Sequence, residues 1–150
     1  MADLLHYEDF PVGLVIPFGT YHLSKEQLIA YAKEWDPQPF HIDEEEAKRS
    51  ALGGLAASGW QSSAILVRLA VEAYANKSAA MASNSMEEGK WLKPVFAGET
   101  LTGRATVLSR RVSSKRPEMG ILTMKFELMN LAGEVKGEIT GVQFMKVRNP

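Results

Sequence analysis

Ser58-Gly59-Trp60-Gln61-Ser62-Ser63-Ala64-Ile65-Leu66-Val67-Arg68-Leu69-Ala70-Val71 decides the fold, because it carries a single charge, Arg68, and apolar or small residues on every side. A helix that is apolar all round belongs in an interior. Ser58 is the natural N-cap, its hydroxyl placed to accept an orphan N–H of the first turn. A helix from Ser58 to about Tyr74 would run roughly 25 Å at 1.5 Å per residue. The rest of the chain has to wrap it.

Downstream the pattern changes to period two. Leu101, Gly103, Ala105 and Val107 alternate with Thr102, Arg104, Thr106 and Leu108. Leu122, Met124, Phe126 and Leu128 alternate in the next run, Ile139 to Val147 makes a third, and Gly133 between the last two is a hairpin signal. Glu99 to Arg111 as one strand would extend about 40 Å, beyond the usual length. Long antiparallel strands after a buried helix predict an α+β layer, a sheet wrapped around a central helix. A sheet covered on one face leaves an edge or face open, so a homodimer is expected.

Upstream, Phe10 to Leu23 is apolar but broken by Pro11 and Pro17, which suits an edge strand. Ser24-Lys25-Glu26-Gln27 reads as a capping box, and Leu28, Tyr31, Ala32 and Trp35 continue it as an amphipathic helix that ends before Pro37. Asp43-Glu44-Glu45-Glu46 opens a second, short helix with acids at the positive end of its dipole, and Gly53-Gly54 stops it.

The 150 residues are one domain's worth, and no repeat or linker divides them. With 45% hydrophobic and 23% charged residues, disorder is excluded as a description of the whole chain. The absence of cysteine removes disulfides, thiolate metal sites and cysteine nucleophiles. Seventeen basic against eighteen acidic side chains, with the basic ones dispersed, argue against nucleic acid as a partner. The N-terminus is acidic where a signal peptide needs basic residues. Ser50 to Val67, the longest uncharged stretch in the middle, holds four Ser, three Gly and a Gln, unlike a membrane span. A soluble, cytoplasmic domain is the expectation.

Between the first helix and the buried one lies Trp35-Asp36-Pro37-Gln38-Pro39-Phe40-His41-Ile42-Asp43. Two prolines in three residues hold this backbone stiff and non-helical. Asp36 and His41 are fixed there five positions apart, and a carboxylate and an imidazole converging on one site can hold a water and move its proton. Asp36 could equally do no more than turn the helix end. The stretch Gly53-Gly54-Leu55-Ala56-Ala57-Ser58-Gly59-Trp60 leads into the central helix, and Gly59 leaves an N-terminal amide open to a carbonyl oxygen. It could also be a plain helix entry with glycines for tight packing.

Asp36-Pro-Gln-Pro-Phe-His41, the acidic helix, Gly53-Gly-Leu-Ala-Ala-Ser-Gly59, and then Trp91-Leu-Lys-Pro-Val-Phe-Ala-Gly-Glu-Thr-Leu101 together resemble the MaoC-like dehydratases, hotdog-fold relatives of the (R)-specific enoyl-CoA hydratases. The likeness runs collinearly from about Tyr7 to Val147. It implies a hotdog fold and a hydro-lyase acting at the α,β position of an acyl-CoA thioester. The family's Asp and His fall on Asp36 and His41, which would hold the water, and its helix glycine falls on Gly59, whose amide would receive the thioester oxygen. The thioester would enter as substrate, with no metal and no cofactor. Gln38 stands where Asn is common, Ser58 where His commonly precedes the glycine, and Trp60 where Met or a smaller residue is typical. These departures make Ser58 and Trp60 candidates for substrate binding, with Trp60 either filling or walling the acyl pocket, or only packing.

Other features carry milder readings. Arg110, Arg111, Lys115 and Arg116 bracket an expected loop, Ser113 to Gly120, and could meet CoA phosphates or mark a solvated hairpin end. Met81, Met86, Met124 and Met129 could line an acyl pocket or fill the core. His6 and His22 lie outside the motif. A hotdog thioesterase would place its carboxylate on the central helix, where the first acid is Glu72, a turn or more too late. A non-catalytic acyl-CoA binding protein would keep the fold without needing the Asp36/His41 pair.

Overall fold

The computed structural model describes residues 2–150. Its centre is α3, Gly59–Ala73, capped by Ser58, whose Oγ accepts from the Trp60 N–H at 3.3 Å. Ile65, Leu66, Leu69 and Ala70 press this helix onto one face of an antiparallel sheet, against Leu101, Ala105, Val107, Leu122, Met124, Phe126, Leu128 and Met145. The fold is α+β, a curled antiparallel sheet around one central helix.

Three long strands carry the sheet: β5, Thr100–Val112, β6, Met119–Asn130, and β7, Val135–Lys146. Alternation buries one face of β5 and β6 residue by residue, as period two requires. Gly133 sits in the β6–β7 turn at φ +85°, a backbone that L side chains rarely adopt. Short strands complete the sheet. β1 (Val15–Pro17) and β2 (Tyr21–His22) pair with β5; β3 (Ala80–Met81) and β4 (Met86–Trp91) pair with β7. Pro17 thus lies in a strand at the sheet's margin, where its missing N–H costs nothing.

Helix α1, Lys25–Trp35, begins with the capping box: Ser24 Oγ accepts from the Gln27 N–H, and Gln27 Oε1 from the Ser24 N–H. Helix α2, Glu44–Arg49, begins on Asp43, whose carboxylate accepts from two backbone amides. No helix among the described residues is long and apolar enough to cross a membrane.

Three expectations shift. Helix α2 stops at Arg49, before the glycines, with the Ser50 hydroxyl donating to the Ala47 carbonyl at 2.6 Å. Met119 and Gly120 already belong to β6, so the loop after β5 is shorter. A register shift between Val107 and Ser109 interrupts the pairing of β5 with β6 at Leu108, which is exposed as the alternation predicts. Finally, α3 is not buried all round. Trp60 and Val67 are more than half exposed, and β4 beside them is exposed along its whole length.

Candidate active site

The Pro-rich loop does what its stiffness predicts. Asp36 caps the C-terminus of α1 outside the helical conformation, its N–H still donating to the Ala32 carbonyl. Pro39 then opens a single 3₁₀ turn, Pro39–His41, that delivers His41 into the interior. The two side chains meet there, with His41 Nε2 3.5 Å from Asp36 Oδ2 and both largely buried.

The imidazole's protonation is set from behind. Its Nδ1 lies 2.7 Å from the Ala56 carbonyl oxygen, which can only accept, so Nδ1 carries the proton and donates it. The neutral ring then presents an Nε2 lone pair to Asp36. Phe40 holds the ring edge-on with centroids 4.6 Å apart.

Asp36 is fixed on both oxygens: Gln38 Nε2 donates to Oδ1 and Ser58 Oγ to Oδ2, each at 2.7 Å. The Ser58 hydroxyl, first of all, holds the carboxyl below its usual range, burial works against it, the Gln38 amide adds to the lowering, and so does the His41 ring whenever it is protonated. An ionised carboxylate facing an imidazole lone pair at 3.5 Å is two acceptors, too far apart to bond each other. The arrangement is complementary to one small molecule with two O–H donors, which is water.

Ala56, the ring's anchor, is itself clamped. It bridges Phe96 antiparallel, flanked by Ala57 N–H to Val95 O at 2.8 Å and Ala97 N–H to Leu55 O at 3.0 Å. Lys136 fastens the Pro94–Glu99 segment from beneath. It is 7% exposed, donates to the Pro94 carbonyl and pairs with Glu99 and Glu134. The three sequence motifs are therefore one hydrogen-bonded unit: the loop's His41 rests on the second motif, and the second on the third.

Ser58 links this unit to α3. It is fully buried, and its hydroxyl joins the helix cap to Asp36, so it positions the carboxylate. Gly59, the next residue, occupies the first helical position, and its N–H finds no acceptor among the described residues. A cavity of about 270 Å³ opens beside it, lined by Ala56, Ala57, Gly59, Trp91 and Lys136 among others.

Of the alternatives open for Trp60, the geometry shows packing: it is not in the lining of this cavity. It is 58% exposed and meets the Trp91 ring edge-on at 5.0 Å. The indole at the cavity belongs to Trp91, which lies flat over Gly59: a Cβ on Gly59 would stand 2.4 Å from its Cδ2. Sequence placed Trp91 inside a motif without a role. The basic cluster is partly committed to structure, with Arg110 over the Tyr7 ring at 4.9 Å and donating to N-terminal carbonyls, and Arg116 paired with Glu118. His22 Nδ1 meets the Thr100 hydroxyl and His6 Nδ1 the Leu4 carbonyl, both outside the site. Met124 is core, accepting from the Tyr74 hydroxyl, whereas Met86 is exposed. Glu72 is exposed and pairs with Arg68.

The role of Ser58 is open to a direct measurement. Because Asp36's folded-state pKa is depressed, its ionisation contributes stability that is fully present above the ordinary value near 3.8 and is lost as pH falls through the lowered one. Ser58→Ala raises that pKa and removes the helix cap, at about 1 kcal/mol. A carbon-detected NMR titration of Asp36 reads the shift directly. An unchanged midpoint would show that the hydroxyl does not hold the carboxylate.

A model of the MaoC like domain matches residues 15–125. The chain is 32% identical over 123 residues to the uncharacterized protein YdeM of Bacillus subtilis, covering 82% of this chain and 86% of that one. A crystal structure of a MaoC-like dehydratase from Rhodospirillum rubrum superposes with a TM-score of 0.89 at 35% identity, over 97% of this chain and 99% of the other. The R-hydratase PhaJ1 of Pseudomonas aeruginosa, at 19% identity, has the same fold, with a TM-score of 0.73 over 95% of this chain and 86% of its own.

Proposed function

The chain belongs to the MaoC-like domain family, and from that premise we propose that it is a hydro-lyase that adds or removes water at the α,β position of an acyl-CoA thioester. The observation that carries the reading is the pair of acceptors, Asp36 Oδ2 and His41 Nε2, facing each other at 3.5 Å beside the open amide of Gly59.

In the hydration direction, a water donates one hydrogen to Asp36 and the other to His41 Nε2. Its oxygen bonds to the β-carbon while Nε2 takes the proton. The double-bond electrons move toward the carbonyl, and the enolate oxygen is held by the Gly59 N–H, a donor worth roughly 3 kcal/mol in comparable holes. His41 then returns its proton to the α-carbon, so the water's atoms are all accounted for and both catalytic residues are restored. The Ala56 carbonyl stabilises the imidazolium in between, as an acceptor already aligned with Nδ1–H. Asp36 stays ionised throughout. His41 is the base and then the acid.

The reading belongs to acyl-CoA chemistry of the kind found in fatty acid metabolism, with a cytoplasmic location. It is tested with crotonyl-, octenoyl- and branched enoyl-CoA, following loss of the enoyl absorbance. Hydration of at least one of them is the expected result, and none hydrated would overturn the proposal. Retention of tight acyl-CoA binding without turnover would instead identify a non-catalytic binder.

The assembly is proposed to be a homodimer. Trp60, Val67, Met86, Trp91 and Leu92 are each at least half exposed on one side of the molecule, next to the unpaired edge of β4. Light scattering at micromolar concentration is expected to give twice the chain mass. A stable monomer would contradict it.

A further inference from the structure

A line of space runs along α3 on the side facing β4 and β7. It begins at the 270 Å³ cavity beside Gly59. It narrows to a neck of about 10 Å³ walled by Ser62, Ser63, Leu66, Trp91 and Gly137. Beyond the neck it widens into an apolar chamber of about 220 Å³ bounded by Leu66, Ala70, Val71, Tyr74, Phe126 and Ile139. The three spaces share walls in series: Ser62 and Trp91 bound the first two, Leu66 and Ile139 the last two. From Gly59 to Ala70 the line covers eleven residues of helix, about 16 Å.

Two glycines of β7 border this line. Gly137 pairs with Leu128 and Gly141 with Met124, both of which are buried against α3. Gly137 borders the neck and Gly141 the chamber, and a Cβ there would stand 3.2 Å from the Lys90 carbonyl oxygen and 3.4 Å from that of Ser85, so the glycines let the β4 side of the line lie close against β7. The neck is as small as it is because of Trp91. Its indole lies over Gly59, donates from Nε1 to Ser63 Oγ at 3.1 Å, and is braced by the edge of Trp60. A space of this size accepts no more than a single water.

We propose that Trp91 sets the acyl length of the substrate: with the indole hydrogen-bonded to Ser63, the acyl group ends in the cavity beside Gly59, and the apolar chamber opens to it only when the indole moves. The inference rests on the hydro-lyase reading for the identity of the ligand, an acyl thioester whose carbonyl sits at Gly59. The wild-type protein is therefore a short-chain enzyme whose longer apolar chamber, open to the outside at Val67 and Met86, is cut off from the thioester by the indole. Its specificity lies in one aromatic side chain and one hydroxyl, and the groups that do the chemistry take no part in it.

The test is kcat/KM for crotonyl-CoA and for trans-2-octenoyl-CoA in the wild type, Trp91→Ala, Ser63→Ala and Trp60→Ala. Trp91→Ala is expected to raise the octenoyl-to-crotonyl ratio at least tenfold. Ser63→Ala, which only releases the indole, should raise it about threefold, and Trp60→Ala less than that. Val71→Phe added to Trp91→Ala refills the chamber and should return the ratio toward wild type. Ratios unchanged in both Trp91→Ala and Ser63→Ala, with crotonyl-CoA still hydrated, would overturn the gate and leave the hydro-lyase reading standing. If no enoyl-CoA is hydrated, binding of butyryl- and octanoyl-CoA by calorimetry takes over. A gain of octanoyl-CoA affinity confined to the Trp91 and Ser63 variants keeps the gate while the hydration chemistry falls, and no gain removes both.

Discussion

Asp36→Asn and His41→Ala each lower kcat for enoyl-CoA hydration by at least about 100-fold with the fold intact, and the double variant is little worse than either single. The geometry says why each alone suffices. Asp36 uses Oδ1 for Gln38 and Oδ2 for Ser58, so an Asn that keeps its oxygen on Gln38 turns an NH₂ toward both Ser58 and the imidazole. That group donates into the Nε2 lone pair and occupies the proton acceptor. His41→Ala removes the acceptor and leaves the Ala56 carbonyl without its donor in a buried place, at about 1–3 kcal/mol. Circular dichroism and thermal melts separate that cost from the lost chemistry. Near wild-type turnover in both singles would show that the water is handled elsewhere.

The second large effect is at Gly59, where only the N–H has to be removed. Proline does this at the first position of a helix without breaking it, because that N–H has no intrahelical partner and the ring's φ suits the helix. Ser58 already has the extended backbone, φ −52° and ψ 139°, that a residue before proline needs. The obstacle is the indole, which any Cβ at position 59 would strike. The comparison is therefore Trp91→Ala against Trp91→Ala/Gly59→Pro. Loss of one oxyanion donor is expected to lower kcat for crotonyl-CoA by roughly 10²–10³-fold, with KM changing far less. Equal kcat in the two proteins would remove the amide from the mechanism.

What could be read from sequence follows a physical division. The central helix was legible because Gly59–Val71 lacks charge and Ser58 is a strong cap, both local properties. The long strands were legible because alternation in β5 and β6 matches a sheet with one covered face. The Asp36/His41 meeting was legible because two prolines restrict the loop between them, and the structure brings the pair together as that stiffness requires. The choice of indole was not. Trp60 and Gly59 are adjacent in sequence, but successive helix residues point about 100° apart, so the neighbour of Gly59 in space comes from β4, thirty-two residues away. Lys136 escaped for a related reason. Its ammonium is buried, and only the fold supplies Glu99, Glu134 and the Pro94 carbonyl around it. The expectation that α3 is buried on all sides fails at Trp60 and Val67, which are more than half exposed in the single chain; the proposed dimer would supply their cover.

The clamp between Leu55–Ala57 and Val95–Ala97 limits how this protein can change over evolutionary time. Peptide groups along an extended segment point alternately to opposite sides, so a slip of one residue turns the Ala56 carbonyl away from the imidazole. Single-residue insertions and deletions between Gly54 and Ser58, or between Val95 and Gly98, are thereby excluded in a working lineage, even where every substitution would be harmless. Length variation is expected instead at the 113–118 turn, at the far end of β5 and β6, whereas the 131–134 turn carries Glu134, which pairs with Lys136 and Lys93 beside the clamp.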